Sequence, residues 1–321
     1  LFFGSEFPQA ENEIDAQGMY HTRYYSGKSL RTLGVNEQRL NDNGQFRTWS
    51  NVIGATRSTH DANVIRTDFF QYINSIARPI KARMQYNSWY DWMMNITEER
   101  INSSFEKMER GFTQHGLRPM DSYVVDDGWN NYSQVGTPES GDTPNQSGFW
   151  EFNSKFPNGL KGASDIAHRY GSGFGIWLGP RGGYNFNQQW GKLLEQNGNG
   201  TYSTTTYDAV TGDSVYVAQL RNFFIKQQRD YGVNYWKLDG FATQQPQAST
   251  NGRYITGGKN GNYYFTEHWE RWYNNLSAMY ADADKRQQDL WINLTCYVNP
   301  SPWILQWCNS VWIQNSRDMW H

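Results

Sequence analysis

The sequence predicts an α/β fold of the (β/α)8, or TIM-barrel, type, and three observations carry that prediction. From about Lys81 onward, short apolar runs alternate with longer segments of helical period, the pattern of a parallel sheet flanked by helices. Six such runs follow one another. Several end in acidic or polar residues, and a barrel of this kind carries its functional groups at the C-terminal ends of its strands.

The first run is Met84 to Trp92. A helix follows from about Thr97, with Ile101, Phe105, Met108 and Phe112 at helical spacing and Gly116 as a stop. The second run, Ser122 to Val125, ends in Asp126, Asp127, Gly128 and Trp129. A short helix near Leu160 to Tyr170 separates it from the third, Phe174 to Leu178. A helix from about Ser214 to Asp230, with Val217, Leu220 and Phe224 on one face, leads into the fourth, Val233 to Leu238. The helix near Thr266 to Ala281 carries Trp269, Trp272, Tyr273, Leu276 and Tyr280 on one stripe. It precedes the fifth run, Leu290 to Cys296, and the sixth is Ser310 to Gln314. A barrel needs eight strands, so residues 79–321 read as a barrel with only strands 1–6 in this chain, the other two expected in sequence beyond it. Residues 1–78 read as a β-rich N-terminal segment, where Gly, Asn and Ser punctuate short runs such as Met19 to Tyr25 and Phe46 to Val52.

The competing architecture is an open doubly wound sheet. Its dinucleotide fingerprint is missing, because Gly171, Gly173 and Gly175 come before a strand instead of after one. A P-loop is missing too, since Thr22 stands where Gly27-Lys28-Ser29 would need a glycine. With 29 Lys and Arg against 31 Asp and Glu, the net charge of −2 gives no electrostatic case for nucleic acid or an anionic membrane as partner. No stretch approaches the roughly 18 apolar residues of a membrane span. Two cysteines make no disulfide framework, and no CxxC or HExxH pattern offers metal ligands, so structural zinc is not expected. The unusual feature is 15 Trp, 21 Tyr and 17 Phe in a background of Asn, Gln, Ser and Gly. Most such rings pack a core, but they also stack on the apolar faces of sugars.

Three strand ends carry candidate chemistry. In Tyr235-Trp236-Lys237-Leu238-Asp239-Gly240, residues two apart share a face, so Lys237 and Asp239 are expected to point together into the barrel mouth. A neighbouring ammonium favours the ionised carboxylate, so the Asp239 pKa is expected to be depressed, as suits a nucleophile. A buried pair serving only the barrel is the alternative. Asp126 and Asp127 reach one ligand only if the chain turns at Gly128; with Trp129 they would then bind and stack a sugar, or otherwise cap a turn. Beyond the sixth run, Asn315-Ser316-Arg317-Asp318-Met319-Trp320 supplies a second acid, and glycoside hydrolysis needs two: one to attack and one to protonate the leaving oxygen.

In combination these motifs are specific. YNSWYDW (Tyr86 to Trp92), VVDDGW (Val124 to Trp129), FPNGL (Phe156 to Leu160), FGIWLGP (Phe174 to Pro180), YWKLDG (Tyr235 to Gly240), LTCY (Leu294 to Tyr297) and SRDMW (Ser316 to Trp320) stand in the order found in the melibiase-type alpha-galactosidase clan of glycoside hydrolases, which residues 80–320 resemble. The resemblance implies Asp239 as nucleophile and Asp318 as general acid/base. It implies a sugar pocket of Asp126, Asp127, Lys237, Trp89, Trp129, Trp177 and Cys296, with Arg317 as the candidate for the 2-substituent. It also implies that residues 1–78 are the tail of a β-sandwich domain. Three departures bear on the substrate: Arg181 stands where larger members place an acid after the third strand, the approach from Trp312 to Asp318 is long, and the family's arginine has no unambiguous match.

The resemblance thus implies a retaining exo-acting hydrolase that removes terminal alpha-galactose-like residues, galactose or N-acetylgalactosamine, from an oligosaccharide or glycoconjugate and needs neither a metal nor an organic cofactor. A galactosyl transferase of the raffinose-synthase kind shares the covalent step and stays open, as does a non-catalytic carbohydrate-binding protein. Members often assemble, so a homo-oligomer is open as well. Few Lys and Glu beside abundant Asn, Tyr and Trp lean toward an extracellular or cell-surface setting over a cytoplasmic one, without fixing it.

Overall fold

The structure is a computed structural model that describes residues 1–8, 10–24, 44–45, 47–133, 143–183, 185–240, 262–295 and 301–312. In the N-terminal segment β1 (Phe2–Ser5), β2 (Glu11–Ile14), β3 (Tyr20–Arg23) and β4 (Asn51–Gly54) form two antiparallel pairs, β1 with β4 and β2 with β3. A helix absent from the sequence reading follows, α1 (Ala62–Ile76), begun by Asp61, whose carboxylate accepts from the Asn63 amide at 2.8 Å. It buries only Ile73 fully, so no strong apolar stripe announced it.

The barrel region runs β5 (Gln85–Asn87), α2 (Trp89–Trp92), α3 (Glu98–Gln114), β6 (Ser122–Val125), α4 (Lys161–Arg169), β7 (Gly173–Leu178), α5 (Asn187–Gln196), β8 (Tyr202–Ser203), β9 (Asp208–Ala209), α6 (Ser214–Asp230), β10 (Val233–Asp239), α7 (Asn262–Lys285), β11 (Trp291–Thr295), a 3-10 helix (Pro302–Gln306) and β12 (Ser310–Trp312). Six of these strands form one parallel sheet in the order β5-β6-β7-β10-β11-β12, a partial TIM barrel. The first run proved to be two elements: the strand stops at Asn87, whose side chain accepts from the Trp89 amide at 2.9 Å and opens α2. Helix α5 and the β8–β9 hairpin were not foreseen, and Ile313 and Gln314 lie outside the described residues.

The sheet is buried on both faces, which is why its strands read as continuous apolar runs. Outward residues Tyr123, Val125, Ile176, Leu178, Trp236, Leu238, Ile292 and Leu294 join Ile101, Phe105, Leu220, Phe224 and Trp272 of the helices in the main core. Inside the curl, Val124, Tyr235 and Trp291 form a small separate cluster. The Arg83 guanidinium lies against it, 5.2 Å from the Trp291 ring centre and 5.7 Å from that of Tyr235, and donates to Ser122 Oγ at 2.5 Å.

Residues in or flanking the outer strands of this sheet, β5 and β12, touch on both sides of it. The Tyr90 and Trp312 rings are 6.1 Å apart at one end. At the other, Asn309 Nδ2 donates to the Pro79 carbonyl at 2.9 Å and the Arg78 amide donates to the Leu305 carbonyl at 2.8 Å. The N-terminal segment packs on this side of the barrel, with Phe7 5.9 Å from Trp307 and Trp49 4.8 Å from Tyr273 between ring centres. Phe7 and Trp307 are both fully buried.

Candidate active site

Strand register brings the site together. Lys237 on β10 lies opposite Trp177 on β7 and Asn293 on β11, and Asp239 lies opposite Thr295. Paired residues in adjacent strands share a face, so these side chains line the interior above the Val124, Tyr235 and Trp291 cluster. Asp126 follows the last residue of β6 and comes to the same place: Lys237 Nζ donates to Asp126 Oδ2 at 2.9 Å, both groups being buried. Asp126 is held further by its own amide, which donates to Ser88 Oγ at 2.9 Å, and its Oδ1 accepts from the Asp127 amide at 2.9 Å.

Lys237 is therefore bonded to Asp126, where the sequence alone paired it with Asp239. Burial pulls the Lys237 pKa down, but the charges of Asp126 and Asp239 overcome it and the pKa ends raised. For Asp239 the balance runs against the expected depression. Burial pushes its carboxyl above the ordinary range, and Asp126 adds repulsion. The opposing pull of Thr295, Lys237 and Trp177 does not outweigh them, and Lys237 is itself bonded to Asp126.

Among the described residues the Asp239 carboxylate has one donor on each oxygen. Thr295 Oγ1 makes a short hydrogen bond to Oδ1, and Trp177 Nε1 donates to Oδ2 at 3.3 Å. Asp127 accepts from the Gly128 amide at 2.7 Å and from the buried Tyr132 hydroxyl at 3.2 Å. Gly128 is what turns the chain: its φ is +115°, and a Cβ there would sit 2.9 Å from the Met94 carbonyl oxygen. The turn carries Trp129 into the outer core, against Trp150, Phe152 and Phe223, with its Nε1 donating to the Trp177 carbonyl at 3.0 Å. Trp89 is buried at the start of α2, after β5. At the rim Tyr90 is 59% exposed, and the Trp312 ring covers Lys237 with Nζ 4.8 Å from its centre.

Of the residues singled out in the sequence, Asp126, Lys237, Asp239 and Trp177 converge in the interior, Asp127 adjoins them, and Trp129 packs away from them. Cys296, Arg317 and Asp318 lie outside the described residues. Arg181, after β7, is paired with Asp208 of β9 at 2.5 Å, which ties that loop to the β8–β9 hairpin. Sequence reasoning missed Thr295, Ser88 and Tyr132. Thr295 sat in the quoted LTCY stretch, but only strand register shows that it faces Asp239. Among the described residues no cluster of three or more His, Cys, Asp or Glu side chains is arranged to hold a metal, and no helix is long and apolar enough to cross a membrane.

Neither a protein-family model nor a curated protein matches the chain. Among solved structures it is similar to the GH36 alpha-galactosidase AgaA of Geobacillus stearothermophilus. A variant of that enzyme bound to 1-deoxygalactonojirimycin superposes with a TM-score of 0.57 at 15% identity, over 81% of this chain and 35% of that one. Variants in complex with stachyose and raffinose give TM-scores of 0.55 and 0.51 at 15% and 17% identity, over 80% and 75% of this chain and 34% and 32% of theirs. This chain has the alpha-galactosidase-like glycosidase fold over the matched region. It spans about a third of the length of those proteins.

Proposed function

We propose that the chain is the catalytic barrel of a retaining, exo-acting glycosidase that removes terminal alpha-galactose-like residues, galactose or N-acetylgalactosamine, from oligosaccharides. The observation that carries this reading is the partly buried carboxylate of Asp239 at the C-terminal end of the fourth sheet strand, bonded by Thr295 and Trp177 and flanked by the Lys237–Asp126 pair. The fold likeness to enzymes complexed with stachyose and raffinose supports the substrate class.

In the first step a lone pair of Asp239 forms a bond to the anomeric carbon. The bond to the leaving oxygen breaks, and that oxygen takes a proton from Asp318. In the second step water attacks the same carbon and gives its proton to Asp318. The bond to Asp239 breaks and the electron pair returns to the carboxylate, with net retention of configuration. Lys237 and Asp126 offer a donor and an acceptor to the hydroxyls of the terminal sugar, with Asp127, Trp89, Trp177, Cys296 and Arg317 completing the pocket in this reading, while Trp129 supports the pocket wall from the outer core through its bond to the Trp177 carbonyl. A carboxylate raised by burial must lose its proton before it attacks, so kcat/KM is expected to fall at acidic pH from a point above the ordinary carboxylate range.

The test is turnover of aryl alpha-glycosides by the intact protein, with the product anomer followed by NMR. Hydrolysis of the alpha-galactoside with the alpha anomer released first is expected. Asp239→Asn is expected to lower kcat by at least about 10³-fold. Inversion, or full activity in that variant, refutes the reading.

A further inference from the structure

The two oxygens of Asp239 are not equivalent. Thr295 Oγ1 lies within reach of two acceptors, Asp239 Oδ1 and the Leu238 carbonyl, but a hydroxyl has one proton to give. The Leu238 contact is 3.4 Å and the Asp239 contact is far shorter, so the proton goes to the carboxylate. Charge-assisted bonds of this kind are the strong ones. Among the described residues Oδ2 has only the 3.3 Å contact from the Trp177 indole, close to the outer limit of such a bond. The threonine is rigid as well as close. It is β-branched, nine-tenths buried, and held in register opposite Asp239 as the last residue of β11.

We propose that Thr295 is a positioning residue for the nucleophile: it anchors Oδ1 of Asp239 against β11 and leaves Oδ2 as the oxygen that attacks the anomeric carbon. This inference rests on the glycosidase reading above and assigns an atom and a residue within it. When the bond from Oδ2 to the sugar forms, Oδ1 becomes the carbonyl oxygen of the glycosyl ester and keeps its hydrogen bond to Thr295. When water displaces the ester, the electron pair returns to a carboxylate that Thr295 stabilises. The hydroxyl therefore acts on both steps. Without it Asp239 is misaligned for attack, a more basic carboxylate, and a poorer leaving group.

The experiment compares Thr295→Val, which keeps the shape and deletes the donor, with Thr295→Ser, which keeps the donor, on an aryl alpha-galactoside with a good leaving group. Thr295→Val is expected to lower kcat/KM by about 10- to 100-fold, to move its acidic limb to higher pH, and to release a burst of the aryl alcohol as the ester accumulates. Thr295→Ser is expected to restore both the limb and the absence of a burst. If Thr295→Val does not fold, judged by circular dichroism, Thr295→Ala against Thr295→Ser gives the same contrast. A Val or Ala variant with the wild-type acidic limb and no burst overturns the assignment, whatever its rate. Azide rescue of Asp239→Ala separates the two ideas. Rescue together with a silent threonine discards only the positioning role, whereas failure of rescue discards the nucleophile and the positioning role with it.

Discussion

At the scale of single residues, two of the three acids share one cation and the third is held by neutral donors. Asp126 holds Lys237 directly, Asp239 feels it from two residues along the strand, and Asp127 is satisfied by the Gly128 amide and the Tyr132 hydroxyl. This leaves Asp239 with a raised pKa, which has a thermodynamic consequence. A carboxyl whose folded-state pKa lies above its unfolded value holds its proton more tightly in the folded protein, so its charge costs stability as pH rises through and beyond the ordinary carboxylate range. The Tm of Asp239→Asn relative to wild type is therefore expected to climb as pH is raised from about 4 to 7, while activity is lost. Paired thermal melts across that range check it, and a difference that shrinks with rising pH contradicts the raised pKa. Lys237 and Asp239 were legible in the sequence because the two-residue period puts them on one face. Which acid wins the lysine was not, since Asp126 lies 111 positions away and only the parallel pairing of β6, β7 and β10 brings it there.

At the scale of elements, helices with a long unbroken apolar stripe were readable, and those with a thin stripe or one interrupted by glycine were hidden. Helix α3 begins at Thr97, which accepts from the Arg100 amide at 3.1 Å, and its Ile101 and Phe105 stripe is fully buried. Helix α5 carries Gly191 in its middle, which weakens any sequence signal for a helix. The glycine is required because the Ala209 amide nitrogen of β9 would lie 2.7 Å from a Cβ there. The same physics makes the loop after β6 a sensitive point. Gly128→Ala is expected to cost about 1 to 3 kcal/mol, from a positive φ and the clash with the Met94 carbonyl, and, under the proposed function, to weaken sugar binding by displacing Asp126 and Asp127. Urea unfolding with ligand titration measures both, and a variant that matches wild type in each means the loop absorbs the extra carbon.

For the whole molecule, the α/β character and strand order followed from the alternation of runs, because a parallel sheet covered by helices leaves that trace in any sequence. How residues 1–78 sit on the barrel left no such trace. Their contact is aromatic and long-range: Phe7 packs among Tyr24, Trp49 and Trp307, and the Tyr24 hydroxyl donates to Glu270 Oε1 at 2.5 Å. We therefore expect the N-terminal segment and barrel to unfold as one unit. Phe7→Ala should lower stability by about 3 to 5 kcal/mol within a single transition, seen alike by tryptophan fluorescence and far-ultraviolet circular dichroism. Two separated transitions count against that unity.

The stacking of Arg83 on Trp291 and Tyr235 also bears on access to the site. With Val124 those rings form a packed plug on the inner face of the sheet, on the N-terminal side of Lys237 along β10. Under the proposed function, such a plug turns away a polymer threaded lengthwise. A substrate would then present its tip from the opposite side, and the severed tip would back out by the same doorway before the next one docks.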